Sequence, residues 1–334
     1  MKRWLAFSLK YLTPPFWLGL VSLLVLLVTY NLLNLPLNSF GALNNIFFIL
    51  ALILFSAVAF FYQFLIKFNQ WSKISELFKM TARSIGEFIV KTLPFFVLLY
   101  VYDSLNNITH LINNYQFDNL LARADRLILF NNDIARLLEK IITPWLTGLL
   151  SFIYSTYFAF YLVNPIIYFF IKEKKAFDVV LTGIIITCYL GLIGYILVPC
   201  VGPIIYQSRL FTRDLVMPNG ELYQNSNDLL AAYHFSRGSF HCFPSLHFGV
   251  TFVWLFYAWK YLRREKYFKC FYYLHIPVII LLWFSTLYLR WHYLVDWLGG
   301  LIVALLGIWL APKIVNWWYK ILEKNNAGVD KRSN

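Results

Sequence analysis

The sequence predicts an all-α integral membrane protein of about eight transmembrane helices. Three observations carry that reading. The chain of 334 residues is 60% hydrophobic, 20% aromatic and only 13% charged, against about 25% charged residues in soluble domains. Its charges fall in clusters separated by long apolar runs, and nothing charged lies between Lys10 and Lys67. When those runs are counted as alternating crossings, Lys and Arg sort strongly to one side. This composition argues against a soluble globular enzyme, a disordered chain and a fibrous one. Length alone would allow two domains, yet a bundle of apolar spans can use the whole chain as one unit. The net charge of +13 fits cytoplasmic loops beside anionic lipid rather than nucleic acid. The many Phe, Tyr and Trp suit lipid contact and interfacial belts.

A bilayer core of about 30 Å needs roughly 20 apolar residues of helix. The first apolar run breaks at Asn31–Asn45, which holds Asn31, Asn34, Pro36, Asn38, Ser39, Asn44 and Asn45. Two spans follow, near 15–34 and 45–66. A weaker candidate near 86–104 carries Glu87 and Lys91 at one end and Pro94 inside; Lys91 could snorkel to the interface. Strong spans are expected at 143–171, 177–199, 244–262 and 271–290. The last runs from about 292 to 312 and contains Asp296. No internal repeat is visible, and the polar tail from Glu323 to Asn334 is expected to be loose.

With this topology 21 Lys and Arg residues fall on the side of the termini and 8 on the other. That split puts both termini in the cytoplasm and supports the weak third span, whose removal would scramble the asymmetry. The first span follows Lys2 and Arg3, has a long apolar run and shows no small-residue cleavage pattern after it. It reads as a retained signal anchor.

Two outer segments are long. In 118–142, Leu120, Leu121, Ala124, Leu127 and Ile128 recur at helical spacing, and Ile134, Leu137, Leu138 and Ile141 resume the stripe after Asn131–Asp133. This is either a pair of interfacial helices at the mouth of a site or an amphipathic cover over the bundle. The other, 200–243, holds Gly202, Pro203, Pro218, Asn219 and Gly220 and reads as a turn-rich loop. Cys200 and Cys242 flank it on the outer side, where an oxidising compartment would let them pair or leave them as thiols.

The chemistry-bearing residues gather at the same outer face. His247 lies one turn into the sixth span and His292 opens the eighth, with Asp296 four residues on. On a helix that spacing stacks both side chains on one face. The carboxylate can hold one ring nitrogen of His292 and leave the other free as a nucleophile. Pro244 suits a first helical position. The following N–H groups, at Ser245 and Leu246, with the Ser245 hydroxyl, would form an anion-binding corner. Arg237 and Arg290 are available to neutralise phosphate. Together these residues suggest phosphoryl transfer through a phosphohistidine, with His292 attacking phosphorus and His247 protonating the leaving oxygen.

Pro-Ser-Leu-His at 244–247 resembles the Pro-Ser-x-His motif of the type 2 phosphatidic acid phosphatase superfamily. His292 and Asp296 in His-Tyr-Leu-Val-Asp match that superfamily's His-x-x-x-Asp. The phrase Phe-Pro-Ser-Leu-His-Phe-Gly at 243–249 and the group Tyr288, His292, Tyr293 and Asp296 are most similar to the inositol phosphorylceramide synthase (aureobasidin-resistance) branch. Pro199–Tyr206 is similar to it less specifically. The resemblance covers about 195–300 and extends weakly to Asp125-Arg126 and Tyr154–Pro165. It implies a six-helix catalytic core, a metal-independent reaction without cofactor, His292 as nucleophile and His247 as acid. The superfamily's Lys-x6-Arg-Pro motif is absent. Ser285-Thr286 stands where its third motif begins Ser-Arg, and Leu246 replaces a glycine. Arg290 and Arg237 are therefore the substitutes expected at the phosphate.

The expected organisation is two N-terminal transmembrane helices in 1–70, a catalytic membrane domain of this type in 84–318 and a polar cytoplasmic tail in 319–334. The leading function is a membrane phosphotransferase or phosphatase, inositolphosphotransferase-like, acting on lipid-linked phosphate at the extracytoplasmic face. Its partners would be a lipid phosphate or phospholipid, the bilayer and an alcohol or sugar acceptor. Two alternatives stay open: a zinc hydrolase with His247, His292 and Asp296 as ligands, and a transporter using the His–Asp cluster as a proton relay. His110 and His275 read as structural, and His234 and His241 as loop residues near the motif. Arg209 and Arg213 read as solvated loop charges. Gly299-Gly300 reads as a close helix contact.

Overall fold

A computed structural model describes residues 12–36, 50, 52–60, 74–171, 173, 175–223 and 241–330. Among them the chain is helical, and its one extended pairing is an isolated bridge between Val216 and Leu222. The main helices are α1 (Pro14–Leu32), α2 (Ile74–Asn106), α3 (Asp118–Ile128), α4 (Ile134–Leu138) and α5 (Pro144–Ser155). They continue as α6 (Tyr157–Phe169), α7 (Ala176–Leu197), α8 (Leu246–Tyr257), α9 (Lys269–Tyr288) and α10 (Leu294–Asp330). Six stretches among the described residues are long and apolar enough to cross a membrane: Pro14–Leu32, Phe78–Asn106, Pro144–Phe169, Ala176–Leu197, Lys269–Tyr288 and Leu294–Lys324. The all-α membrane class holds.

The expected spans map onto these helices with informative shifts. The weak third span is part of a 33-residue helix that passes through Pro94. The 143–171 span is two helices, α5 and α6, meeting at Thr156. The sixth span is α8, continued by a wide π turn at Ala258–Leu262. Most of the 45–66 span lies outside the described residues, although 52–60 is helical. Helix α10 runs past Glu323 to Asp330, and the last four residues of the expected tail lie outside the described residues.

The chain divides into two compact units, Met1–Val101 with Tyr161–Ile185 and Trp309–Asn334, and Tyr102–Phe160 with Ile186–Ile308. In the first, the Phe55 and Phe88 rings stack at 3.8 Å beside Phe169 and Phe170. Gly19 lets α1 approach Pro94 of α2, whose atoms would lie 3.3 Å from a Cβ placed there. Lys91 lies over the Phe177 ring and within electrostatic reach of the buried Asp178, which also accepts from the Tyr319 hydroxyl at 2.8 Å.

The second unit holds α3, α4, α5, α8 and α9. Helix α9 packs against α5 and α8. Its Trp283 stacks on Phe248 at 4.3 Å and donates to the Thr251 hydroxyl at 2.7 Å. The start of α10 approaches α8 through paired glycines. A Cβ on Gly300 would collide with the Ser245 carbonyl, and one on Gly249 would come within 2.8 Å of the Gly300 carbonyl. The close-contact reading of Gly299-Gly300 is what the structure shows, and it brings two distant motifs together. Because the obstructing atoms are backbone, Gly300→Val should destabilise the protein by about 1–3 kcal/mol or more. Thermal unfolding of the detergent-solubilised variant should show a lowered midpoint, with Gly86→Val, whose Cβ would meet nothing within 4 Å, as the control.

Candidate active site

Local sequence places the first histidine. Ser245 is the N-cap of α8, its hydroxyl accepting from the Phe248 N–H at 3.3 Å. The helix therefore begins at Leu246, and Pro244 precedes the cap instead of occupying the first turn. The Ser245 hydroxyl serves the helix end, while the N–H groups of Leu246 and His247 open a helix and have no intrahelical acceptor by position. Pro244 and Leu246 fit against Gly194 and Gly191 of α7, where added Cβ atoms would collide with them. Leu246 occupies the place of the motif's glycine because Gly191 yields the space.

His292 sits in the tight link between α9 and α10. Its Nδ1 meets Asp296 Oδ2 at 3.1 Å, and the same oxygen accepts from the Tyr293 N–H at 2.8 Å. Its Nε2 meets His247 Nδ1 at 3.2 Å. Ser245 N–H donates to the Asp296 carbonyl at 3.0 Å, so backbone also joins the two motifs. The sequence-predicted histidines and the carboxylate converge. His292 and Asp296 are buried. Aromatic rings wall the pair: Tyr154 and Tyr157 lie 4.7 and 4.4 Å from the His247 ring, and Trp291 stacks near Tyr154 while donating to the Tyr223 hydroxyl.

Arg290 adopts a left-handed backbone, with φ 65°. Its guanidinium donates to Glu139 Oε1 at 3.2 Å and to the Arg213 carbonyl at 2.6 Å, and it lies over the Phe211 ring. Among the described residues no hydrogen bond or ion pair joins it to either histidine. Arg213, expected to be a solvated charge, donates to the Glu139 carbonyl at 2.9 Å. Arg237 and His234 lie outside the described residues. His241 meets the Thr109 hydroxyl at 2.8 Å and stacks on Tyr195, and burial pushes its imidazole down to about 4. His275 meets the Phe271 carbonyl and packs on Phe160, in a structural setting. A polar cavity of about 520 Å³ opens beside Asp133, Arg136, Glu139 and Arg213, and neither histidine lines it.

Two carboxylates in α3 complete the frame; sequence reasoning singled out Asp118 not at all, and Asp125 only through a weak family resemblance without a role. Asp118 accepts from the N–H groups of Val201 and Gly202 at 3.0 and 2.9 Å and from the Tyr293 hydroxyl at 2.9 Å. Asp125 accepts from the N–H groups of Leu294 and Val295, both at 2.8 Å, and so caps the helix that carries Asp296. Burial pushes both carboxyl groups up, opposed by these donors. The buried face of α3 is Asp118, Leu121, Ala122 and Asp125, while Leu120, Leu127 and Ile128 are exposed. The apolar stripe is split: Leu120, Leu127 and Ile128 face outward and Leu121 packs inward. The outward part supports the interfacial helix, and the inward part keeps the cover reading open. The signal was present in the sequence: acids at i and i+7 on one face.

The buried His292, held by Asp296 and in contact with His247 beside the start of α8, is an arrangement compatible with phosphoryl chemistry. A family model described as the PAP2 superfamily matches residues 119–310, and the chain belongs to that superfamily. No curated protein and no solved structure matches it. Membership supports an enzyme of phosphatase or phosphotransferase chemistry on lipid phosphate, in an integral membrane setting. Since Asp125 touches no reacting group, Asp125→Ala should lower kcat about ten- to a hundredfold through misplacement of His292 with little change in KM. Asp125→Asn, which keeps an acceptor oxygen, should restore part of that loss in the same lipid-phosphate assay.

Proposed function

We propose that the chain is a lipid phosphotransferase of the inositolphosphotransferase-like branch, working through a phosphohistidine at the extracytoplasmic face. The observation that carries this reading is the relay His247–His292–Asp296, with contacts of 3.2 and 3.1 Å. Asp296 holds the proton on His292 Nδ1, which leaves a lone pair on Nε2. His247 Nδ1–H then faces that lone pair, and an entering phosphoryl group replaces the contact between them. Nε2 attacks phosphorus as the P–O bond to the leaving group breaks, and His247, carrying protons on both ring nitrogens beside the anionic phosphate, gives one to the departing oxygen and is left neutral. His247 next takes the proton of an incoming hydroxyl as that oxygen attacks the phosphoenzyme, releasing His292. N–H groups at the start of α8 stabilise the developing charge.

Two further features support transfer over hydrolysis. Tyr154, Tyr157 and Trp291 shield the pair, so a phosphoenzyme there is sheltered from bulk water. Arg290 is engaged by Glu139, and the cation-poor surroundings among the described residues suit the single charge of a phosphodiester donor. The branch also rests on Phe243–Gly249, Tyr288 and Tyr293 as they stand in the sequence. The 21-to-8 distribution of Lys and Arg supports cytoplasmic termini and an outward site. A zinc reading has less support. Asp296 holds the ring edge of His292 opposite to His247, and among the described residues no group of three or more His, Cys, Asp or Glu could hold a metal ion.

The test is a panel of phospholipids and lipid phosphates on purified protein, with and without inositol or another alcohol, scored for free phosphate against new lipid product. New phosphorylated product with acceptor present is expected; free phosphate alone, whatever the acceptor, makes the protein a phosphatase. His292→Ala should abolish turnover and the covalent label from a phosphate-labelled donor. His247→Ala should slow turnover by about 10²- to 10⁴-fold. Turnover retained by His292→Ala would remove the proposed nucleophile. Separately, activity should survive exhaustive chelation; loss on chelation with recovery on adding zinc would favour the metal reading.

A further inference from the structure

We propose that Cys200 and Cys242 are joined by a disulfide bond that ties the base of the long outer loop to the motif carrying His247. The inference rests on the extracytoplasmic placement above. Cys200 lies just beyond α7, and Cys242 lies two residues before Pro244. Their Sγ atoms are 2.6 Å apart, and both residues are buried in one cluster with Leu121, Ala122 and Tyr293. The Phe243 N–H donates to Cys200 Sγ at 3.1 Å, so the motif strand and the Cys200 segment already interlock. Cys242 also lies against Asp296.

The position of the pair gives the bond a task. Residues 201–202, immediately after Cys200, are held by Asp118, which also binds the Tyr293 hydroxyl next to His292. Residues after Cys242 lead into Ser245, whose N–H is bound to the Asp296 carbonyl. A covalent link between the two sulfurs fastens these segments together at the point where the imidazoles meet. The described part of the intervening loop contains short turns at Pro203–Tyr206 and Ser208–Leu210 and the isolated bridge between Val216 and Leu222, and a crosslink at its base removes freedom from the unfolded chain. The bond forms by exchange with a disulfide oxidant of the extracytoplasmic compartment, a dithiol oxidoreductase or glutathione disulfide. Both cysteine S–H bonds break, one Sγ–Sγ bond forms, and the two electrons and two protons reduce the oxidant disulfide to two thiols. The exposed Cys270 remains a thiol.

The test is peptide mapping of the full chain. Cells are quenched in acid, thiols are blocked with N-ethylmaleimide under denaturing conditions, and the protein is digested without reduction. Cys200 and Cys242 should appear in one linked species that dithiothreitol separates, while Cys270 carries the maleimide. Both cysteines recovered as maleimide adducts without reduction would overturn the bond. Dithiothreitol should lower wild-type turnover several-fold and should not affect that of a Cys200→Ala/Cys242→Ala variant. An Asn219→Cys variant probed with a membrane-impermeant maleimide on sealed cells reads the side of the loop. External labelling with free wild-type thiols overturns the disulfide alone. Labelling only after permeabilisation overturns the placement on which it rests.

Discussion

A fully buried carboxylate governs this structure. Asp296 has no exposed surface, and an ionised group so placed is tolerated only with partners that offset its desolvation. One oxygen takes the His292 ring and the Tyr293 N–H. The backbone carbonyl of the same residue takes the Ser245 N–H. Satisfying Asp296 therefore orients His292 and pulls the cap of α8 to the start of α10. The glycines at 249 and 300 are the steric counterpart, since only residues without a Cβ let the backbones approach this closely. Catalytic geometry and helix packing here are one constraint met by two kinds of residue.

Helix α3 extends that logic outward. An interfacial helix presents its apolar face to lipid, so its polar face must be absorbed by the protein. Backbone N–H groups absorb it: those of 201–202 for Asp118 and those of 294–295 for Asp125. These donors belong to chain segments that change direction and lack partners within their own structure. The acids and the turns supply each other's missing hydrogen bonds, and the same contacts fix where α10 begins.

Six of the eight expected spans, the meeting of His247, His292 and Asp296 and the Gly299-Gly300 contact were legible in the sequence, because hydropathy and i,i+4 spacing are local properties. The orientation of α3 was legible only as two alternatives, because a stripe of Leu and Ile reads as buried when water is the assumed surroundings and as exposed when lipid is. Arg290 misled for a related reason: charge and proximity to His292 in sequence suggested phosphate, whereas its partner Glu139 lies 151 positions away along the chain. Long-range pairing of this kind leaves no periodic trace. The helix start moved by two residues, from Pro244 to Leu246, because Ser245 is the better N-cap, and a proline before a cap is compatible with a helix start.

Charge balance then links the fold to the choice of substrate. A phosphate monoester brings nearly two negative charges into low dielectric, and a diester brings one. With Arg290 held by Glu139 and the Tyr154–Tyr157–Trp291 wall uncharged, the described surroundings of the histidines rely on the start of α8 for positive potential, worth about half a charge. A diester matches that supply more closely. In the proposed reaction, cleavage of a diester would leave on His292 a phosphoryl group that still carries one substituent, beside the rings of Tyr154 and Tyr157. Under that proposal the uncharged rings, which displace water beside His247, support exchange between two alcohols over release of free phosphate.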